Sequence, residues 1–327
     1  MDRYKVIGEF GNQYVVKRDG DIRNVRVAGK FKNGLILRSE YPVVGDWVII
    51  DDSGLIVEVC ARRNSVARKR SGKKYEQQIL AANIDYMFIV APLDTELNLN
   101  KIDRFLLLSQ TNKIEPVIVL TKADICEDVD ACIDKMAHRY GGMMKVIISD
   151  KDTDDGINGL KRILQPEKTG IFVGPSGAGK STLVNRLLNE EKARTAQVRE
   201  KDKKGKHTTT NRQLYELEGG AFIIDTPGIR EIGLWINKEI YSVSDELDNL
   251  ARDCRFGDCS HKVEPGCAIL DAVEKGMVSR ADYRAYVKLK DEIRFAEMAQ
   301  NDMVKYAYEK KMKIRKREAG TESRRKR

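Results

Sequence analysis

The chain has 327 residues, 41% of them hydrophobic and 33% charged, with a formal net charge of +9. That length suggests two or three domains with a full core, and no apolar run reaches the roughly eighteen residues a membrane span needs. The charge favours a polyanionic partner or serves solubility alone, and Met1-Asp2-Arg3-Tyr4 opens neither a signal nor a transit peptide, so the chain reads as soluble and cytoplasmic.

Residues 1–70 read as all-β. Short β-rich runs recur at Tyr14-Val15-Val16, Val25-Arg26-Val27, Leu35-Ile36-Leu37, Trp47-Val48-Ile49-Ile50 and Leu55-Ile56-Val57-Glu58-Val59, with turn residues such as Gly11-Asn12, Asp19-Gly20 and Asn33-Gly34 between them. Short strands at this spacing predict a small barrel, and five strands of the OB type fit the length. The barrel is either a structural domain or an RNA binder. Arg62, Arg63, Arg68, Lys69, Arg70, Lys73 and Lys74 follow, with Ser71-Gly72 among them. That stretch reads as a flexible domain boundary, a nucleic-acid contact, or both.

Residues 76–235 alternate strands and helices, as an α/β domain does. Strands are predicted at 84–91, 116–120, 145–148, 169–173 and 221–224, and an amphipathic helix at 99–109. The strand at 116–120 runs into Thr121-Lys122-Ala123-Asp124. Asp124 offers two acceptor oxygens to the N1–H and N2–H₂ donors of guanine; adenine lacks that pair and would leave the carboxylate unsatisfied. Lys122 has an alkyl stem to lay along the base. Thr121 stands where the usual motif has Asn, and its hydroxyl makes fewer contacts than an amide. The strand at 145–148 ends at Ser149-Asp150, where a supporting backbone contact to the base would sit.

The strand at 169–173 feeds Gly174-Pro175-Ser176-Gly177-Ala178-Gly179-Lys180-Ser181, and Thr182 continues into an amphipathic helix. This G-x-x-x-x-G-K-[ST] pattern cradles phosphates on backbone N–H groups at a helix N-terminus. Lys180 reaches the β/γ oxygens and the Ser181 hydroxyl ligates Mg²⁺. Residues 192–206 are rich in Lys and Arg and poor in apolar side chains, then Gly205-Lys206-His207-Thr208-Thr209-Thr210 follows. Thr209, with Thr208 as its neighbour and rival, is the candidate to complete the Mg²⁺ shell. Asp225-Thr226-Pro227-Gly228 ends the next strand; Asp225 fits the carboxylate behind the Mg²⁺ ligands, and the Gly228 N–H can meet a γ-phosphate. Ile229 stands where a water-orienting Gln often follows that glycine. His207 is the nearest replacement in sequence, or else a polar loop residue.

Residues 236–327 read as helical around Cys254-x₄-Cys259-x-His261-x₅-Cys267. Three thiolates and one imidazole suit one closed, tetrahedral, structural Zn²⁺ site with no open position for catalysis. Cys60, Cys126 and Cys132 read as ordinary thiols. Ser279-Arg280-Ala281-Asp282 starts a helical stretch to about 316, and 310–327 is a tail with ten basic residues against Glu318 and Glu322.

The parts are those of a P-loop GTPase, but the guanine reader precedes the phosphate loop, so the order is circularly permuted. Together with Gly45-Asp46-Trp47-Val48, Gly205-Lys206-His207-Thr208-Thr209-Thr210, Cys254-Arg255-Phe256-Gly257-Asp258-Cys259-Ser260-His261 and Glu264-Pro265-Gly266-Cys267, the sequence resembles the ribosome small-subunit-dependent GTPases, the RsgA/YjeQ family. The resemblance spans nearly the whole chain. It implies a multidomain protein: an N-terminal OB-type RNA-binding barrel, a central circularly permuted GTPase domain and a C-terminal helical zinc-binding domain. It implies late maturation of the small ribosomal subunit, contacts to its rRNA, subunit-stimulated hydrolysis of GTP to GDP with Mg²⁺, and a catalytic histidine at His207. Nothing in the sequence demands more than a monomer.

Permutation also leads the chain from 225–228 directly towards the Cys/His segment, which predicts that GTP and GDP hold that segment differently. Two other readings remain at this point: a nucleotide-gated RNA-binding chaperone whose hydrolysis is incidental, and a GTPase acting on another structured RNA. A P-loop kinase would need an acceptor site and a lid, for which the sequence offers no candidate.

Overall fold

The computed structural model describes residues 2–32, 38–69, 77–141, 144–189, 212–225, 245–280, 282–284, 286–291, 293, 294, 298, 301, 305 and 309. Strands β1 (Arg3–Phe10), β2 (Gln13–Arg18), β3 (Asp21–Val27), β4 (Trp47–Ile50) and β5 (Leu55–Val59) pair in the order β1-β2-β3-β5-β4, and β4 returns to β1 to close a barrel. Alternation sends Tyr4, Val6, Tyr14, Val16, Val25, Val48 and Ile56 to its interior, with Phe31 of the short helix α1 (Gly29–Lys32). Strands β2 to β5 contain the runs expected of them. The run at 35–37 lies outside the described residues, and β1 is the strand that the turn punctuation does not announce.

An antiparallel hairpin, β6 (Ser65–Lys69) and β7 (Gln77–Ala82), crosses the expected boundary. It replaces the flexible reading for residues 62–69; Arg70, Ser71, Gly72, Lys73 and Lys74 lie outside the described residues. Arg68 and Lys69 are strand residues opposite Gln78 and Gln77. Arg62 is committed inside the protein: its Nε and Nη2 donate to the two Asp46 carboxylate oxygens at 2.8 and 2.7 Å, and it also donates to the carbonyls of Ser39 (2.6 Å) and Tyr41 (2.7 Å). Asp46 is fully buried, so this bidentate pair supplies the charge compensation its burial requires. Gly45 precedes it at φ +90°, and a Cβ there would lie 2.2 Å from the Ala82 carbonyl oxygen. The Gly45-Asp46 pair therefore exists to seat the barrel against β7.

The α/β part has β8 (Tyr86–Pro92), β9 (Glu115–Thr121), β10 (Val146–Ser149), β11 (Thr169–Val173) and β13 (Phe222–Asp225) in parallel, with β12 (Arg212–Glu216) antiparallel to β13. The spatial order is β10-β9-β8-β11-β13-β12. Both faces are covered, which is why the strands read as continuous apolar runs. Met87 and Ile89 of β8 join Ile118, Leu120 and Ile171 under α2 (Leu99–Thr111) and α3 (Val129–Tyr140). Phe88 and Val90 face the other way, with Val117, Val119 and Phe172, under α4 (Asp155–Ile163) and α5 (Lys180–Leu188).

The C-terminal part has α6 (Asp245–Arg252), α7 (Ala268–Glu274) and helical residues between 280 and 309. Ser279 caps that last stretch, its Oγ accepting from the Asp282 N–H at 3.0 Å. Leu289 and Ile293 reach into the same core cluster as α2 and α3, so the C-terminal helix docks on the α/β part. Arg139 of α3 seals that contact, donating to Asp103 of α2 at 2.6 Å and to Asp282 at 2.8 Å. Among the described residues no helix is long and apolar enough to cross a membrane.

Candidate nucleotide site and Cys/His cluster

Parallel register places the scattered motifs along one edge of the sheet. Thr121 ends β9 beside Pro92 of β8 and Ser149 of β10; Val173 ends β11 next to β8, and Asp225 ends β13. Ligands bind at the carboxyl ends of such strands. Sequence order is permuted, but adjacency in the sheet brings the strand ends that carry the two motifs together.

The phosphate loop turns sharply out of a fully buried β11. Gly174 has φ +142°, and a Cβ on it would approach the Val90 carbonyl oxygen to 2.3 Å, so only glycine fits. Gly179, also left-handed, caps α5, whose first residues Lys180, Ser181 and Thr182 face the loop mouth with the exposed Ser176 and Gly177. The Lys180 Nζ donates to the carbonyls of Gly174 (2.9 Å) and Pro175 (2.5 Å), which keeps the ammonium over the cradle where phosphate oxygens would compete for it. Ala178 is buried against the sheet, and its carbonyl accepts from the Thr121 hydroxyl at 2.8 Å. The residue that departs from the usual motif thus ties the 121–124 segment directly to the 174–181 loop.

Past Thr121 the chain turns through Lys122 in a left-handed conformation, φ +61°, and into a single 3₁₀ turn, Ala123–Ile125. This turn projects Lys122 and Asp124 separately. Lys122 pairs with Asp94, and Asp124 pairs with Lys151 at 3.2 Å with its side chain 12% exposed. Asp94 and Lys151 are partners that motif reading misses. Lys151 has one signal, its place directly after the strand-end Ser149-Asp150; Asp94 has none beyond following β8. His207, Thr208, Thr209, Thr210 and Gly228 lie outside the described residues, as do 192–206 and 310–327.

Cys254, Cys259, His261 and Cys267 converge, their ligand atoms all within 4.8 Å of one another. Cys254 Sγ lies 3.9 Å from Cys267 Sγ, and His261 Nδ1 is 3.6 Å from each. A tetrahedron with Zn–S bonds near 2.3 Å has S···S edges of about 3.8 Å, so Cys254, His261 and Cys267 stand at the spacing of a zinc site, with the Cys259 donor within 4.8 Å of them. Burial lowers the pKa of the His261 imidazole, the direction that favours the neutral ring needed for ligation. His261 has φ +61°, and the turn around it is fixed by Glu264, whose carboxylate accepts from the N–H groups of Ser260 (2.9 Å), Lys262 (3.1 Å) and Val263 (3.1 Å). The Tyr283 hydroxyl donates to the His261 carbonyl at 2.8 Å, linking the cluster to the C-terminal helix. The Cys₃His cluster could hold a zinc ion.

The family model of the RsgA GTPases matches residues 59–235. The chain belongs to the RsgA GTPase family. The small ribosomal subunit biogenesis GTPase RsgA of Xylella fastidiosa is 41% identical over 254 residues, covering 78% of this chain and 76% of that one. RsgA 1 of Oceanobacillus iheyensis is 34% identical over 319 residues, 95% of this chain and 90% of its own. The crystal structure of YjeQ from Thermotoga maritima superposes with a TM-score of 0.60 at 27% identity, covering 88% of this chain and 96% of that one. The structure of YloQ, a circularly permuted GTPase, shares the fold at a TM-score of 0.60 and 24% identity, covering 90% and 95%.

In this RsgA GTPase chain the barrel does more than sit at the N-terminus. Strand β1 pairs with β12, Gly8 opposite Gln213 and Glu9 opposite Arg212, so barrel and α/β sheet form one continuous array of eleven strands. Arg212 Nη1 and Glu9 Oε2 meet at 2.7 Å with side chains 3% and 9% exposed. Lys5 of β1 crosses the same seam, its Nζ 3.2 Å from Thr169 Oγ1 and 3.9 Å from the Phe222 ring centroid; burial pulls its amine down to about 8. Strand β12 begins two residues after Thr210, so the barrel is bonded to the strand that leaves the expected Mg²⁺-binding threonines.

Proposed function

We propose that this chain is a GTP-hydrolysing factor of late small-ribosomal-subunit maturation that binds rRNA and is stimulated by the subunit. It works in the cytoplasm as a monomer of three parts, the barrel, the nucleotide-binding part and the Cys/His segment from 236 to 327, with the β6–β7 hairpin bridging the first two. The observation that supports the nucleotide part is the Thr121–Ala178 hydrogen bond, which ties the segment leading to Asp124 to the loop leading to Lys180. The small-subunit part is supported by the names of the relatives.

In this reading Thr121, Lys122 and Asp124 hold guanine. Residues 174–182 bind the phosphates, and Lys180 draws charge from the β/γ bridge as the γ-phosphoryl group leaves. Ser181 and Thr209 hold the Mg²⁺ that accompanies GTP, Asp225 stands behind them, and the Gly228 N–H senses the γ-phosphate. Mg²⁺ supplies charge neutralisation on the β and γ oxygens. His207 orients the attacking water, because Ile229 cannot. Cys254, Cys259, His261 and Cys267 hold one structural Zn²⁺.

Purified protein should hydrolyse GTP slowly and ATP negligibly, and small subunits should accelerate the GTP reaction. A preference for ATP, or indifference to small subunits, would sink the proposal. His207→Ala should cut subunit-stimulated turnover while leaving GTP affinity in place; undiminished stimulated turnover would remove His207 from the mechanism.

A further inference from the structure

The loop of residues 150–154 joins β10 to α4 beside the guanine reader. Asp150 organises it from within, its carboxylate accepting from the Asp152 N–H (2.8 Å), the Thr153 N–H (2.6 Å) and the Thr153 hydroxyl (2.9 Å). Gly156 presses α4 onto the strand end, since a Cβ there would lie 2.5 Å from Ser149 Cβ. From outside, Arg186 reaches in from α5. Its Nη1 donates to the Asp150 carbonyl at 2.5 Å, and its Nη2 donates to the Thr153 carbonyl and to Asp154 Oδ1, the last at 2.8 Å. Asp154 occupies the N-cap position of α4 yet makes no side-chain cap bond. An aspartate there ordinarily caps its helix; here the carboxylate turns to Arg186 instead.

These contacts form a short path between the two ends of the ligand. Helix α5 starts at the phosphate loop with Lys180 and Ser181 and carries Arg186 in its second turn. Arg186 holds the carbonyl of Asp150, the next residue is Lys151, and Lys151 pairs with Asp124 at 3.2 Å. We infer that Arg186 is a positioning residue for base recognition: it fixes the 150–154 loop to the phosphate-binding helix and so keeps Lys151 and Asp124 aligned on the guanine edge. This inference rests on the assignment of Asp124 to guanine. The Asp154 side chain is 79% exposed, so that ion pair contributes little, and the two backbone carbonyls are the fixed partners. A forked guanidinium meets both carbonyls at once; a lysine ammonium does not.

The test compares GDP with inosine diphosphate, which lacks the 2-amino group that Asp124 reads, and with ADP. Binding and thermal melting are measured for the wild type, Arg186→Ala, Arg186→Lys and Asp154→Ala. Arg186→Ala should weaken GDP about tenfold, the size of one lost charge-assisted contact, and inosine diphosphate much less, so that the preference between them shrinks. Arg186→Lys should fall between Ala and wild type, and it decides the matter if the alanine variant does not fold. Asp154→Ala should keep the wild-type preference. Equal loss for GDP and inosine diphosphate, or an unchanged preference in a folded Arg186 variant, would overturn the role. A wild-type protein that binds ADP as well as GDP would instead refute the guanine assignment itself.

Discussion

Cys259→Ser should abolish zinc binding and melt the segment from 245 onward, while GDP binding persists. The buried cluster in this segment consists of Leu247, Cys259, Cys267, Ile269, Ala272, Val278 and Tyr286, two of which are metal-binding candidates. The five others make a small apolar core, and small cores of this kind usually depend on a metal or a disulfide. A structural zinc ion, at about 10–16 kcal/mol in small zinc folds, would be the largest single stabilising contribution to the segment. Its loss should spread outward, because Tyr283 is bonded to the His261 carbonyl and the same helix carries Asp282 to Arg139 and Leu289 and Ile293 into the α/β core. The nucleotide site is built from other elements and should survive. Zinc content by mass spectrometry, circular dichroism and limited proteolysis read the outcome; one zinc retained per chain, or an unchanged protease map after 245, would refute the assignment.

Arg212→Met should destabilise the protein by about 3–5 kcal/mol, because it removes the guanidinium that faces the buried Glu9 carboxylate in the seam between barrel and sheet. Glu9→Leu should do comparable damage by leaving the Arg212 guanidinium there. The double variant should recover much of the loss, since removing both charges removes the desolvation penalty with them. Denaturant unfolding of the four proteins gives the coupling directly, and strictly additive losses would show that the 2.7 Å pair is not an energetic unit. The pair also bears on signalling. It holds β1 to β12, and in sequence β12 follows the threonine segment directly; if Thr209 completes the Mg²⁺ shell as proposed, breaking the pair should also change the response of the barrel to nucleotide.

Where the sequence was legible, the chemistry was local. The phosphate loop is one contiguous turn whose glycines, lysine and serine must stand at fixed spacing. The guanine reader is four residues long, and the four metal-binding candidates lie within fourteen residues, Cys254 to Cys267. The parallel strands were readable because burial on both faces leaves unbroken apolar runs. Strand β1 was harder to see: it mixes Lys5, Glu9 and Gly8 with apolar residues because its edges serve both a barrel and a sheet. The basic stretch misled because Arg62 looks like any solvated arginine until Asp46 is placed against it.

From sequence alone, then, come the ligand classes, the three kinds of architecture and the permuted order, since each depends on residue types at short, fixed separations. Tertiary structure decided which distant polar side chains meet: Thr121 with Ala178 across 57 positions, Arg186 with Asp150 across 36, Arg212 with Glu9 across 203. Such pairs leave no periodicity in the chain. A lone charge or hydroxyl has the same appearance in a sequence whether it ends in water or in a seam, and only the folded backbone brings its partner within hydrogen-bonding distance.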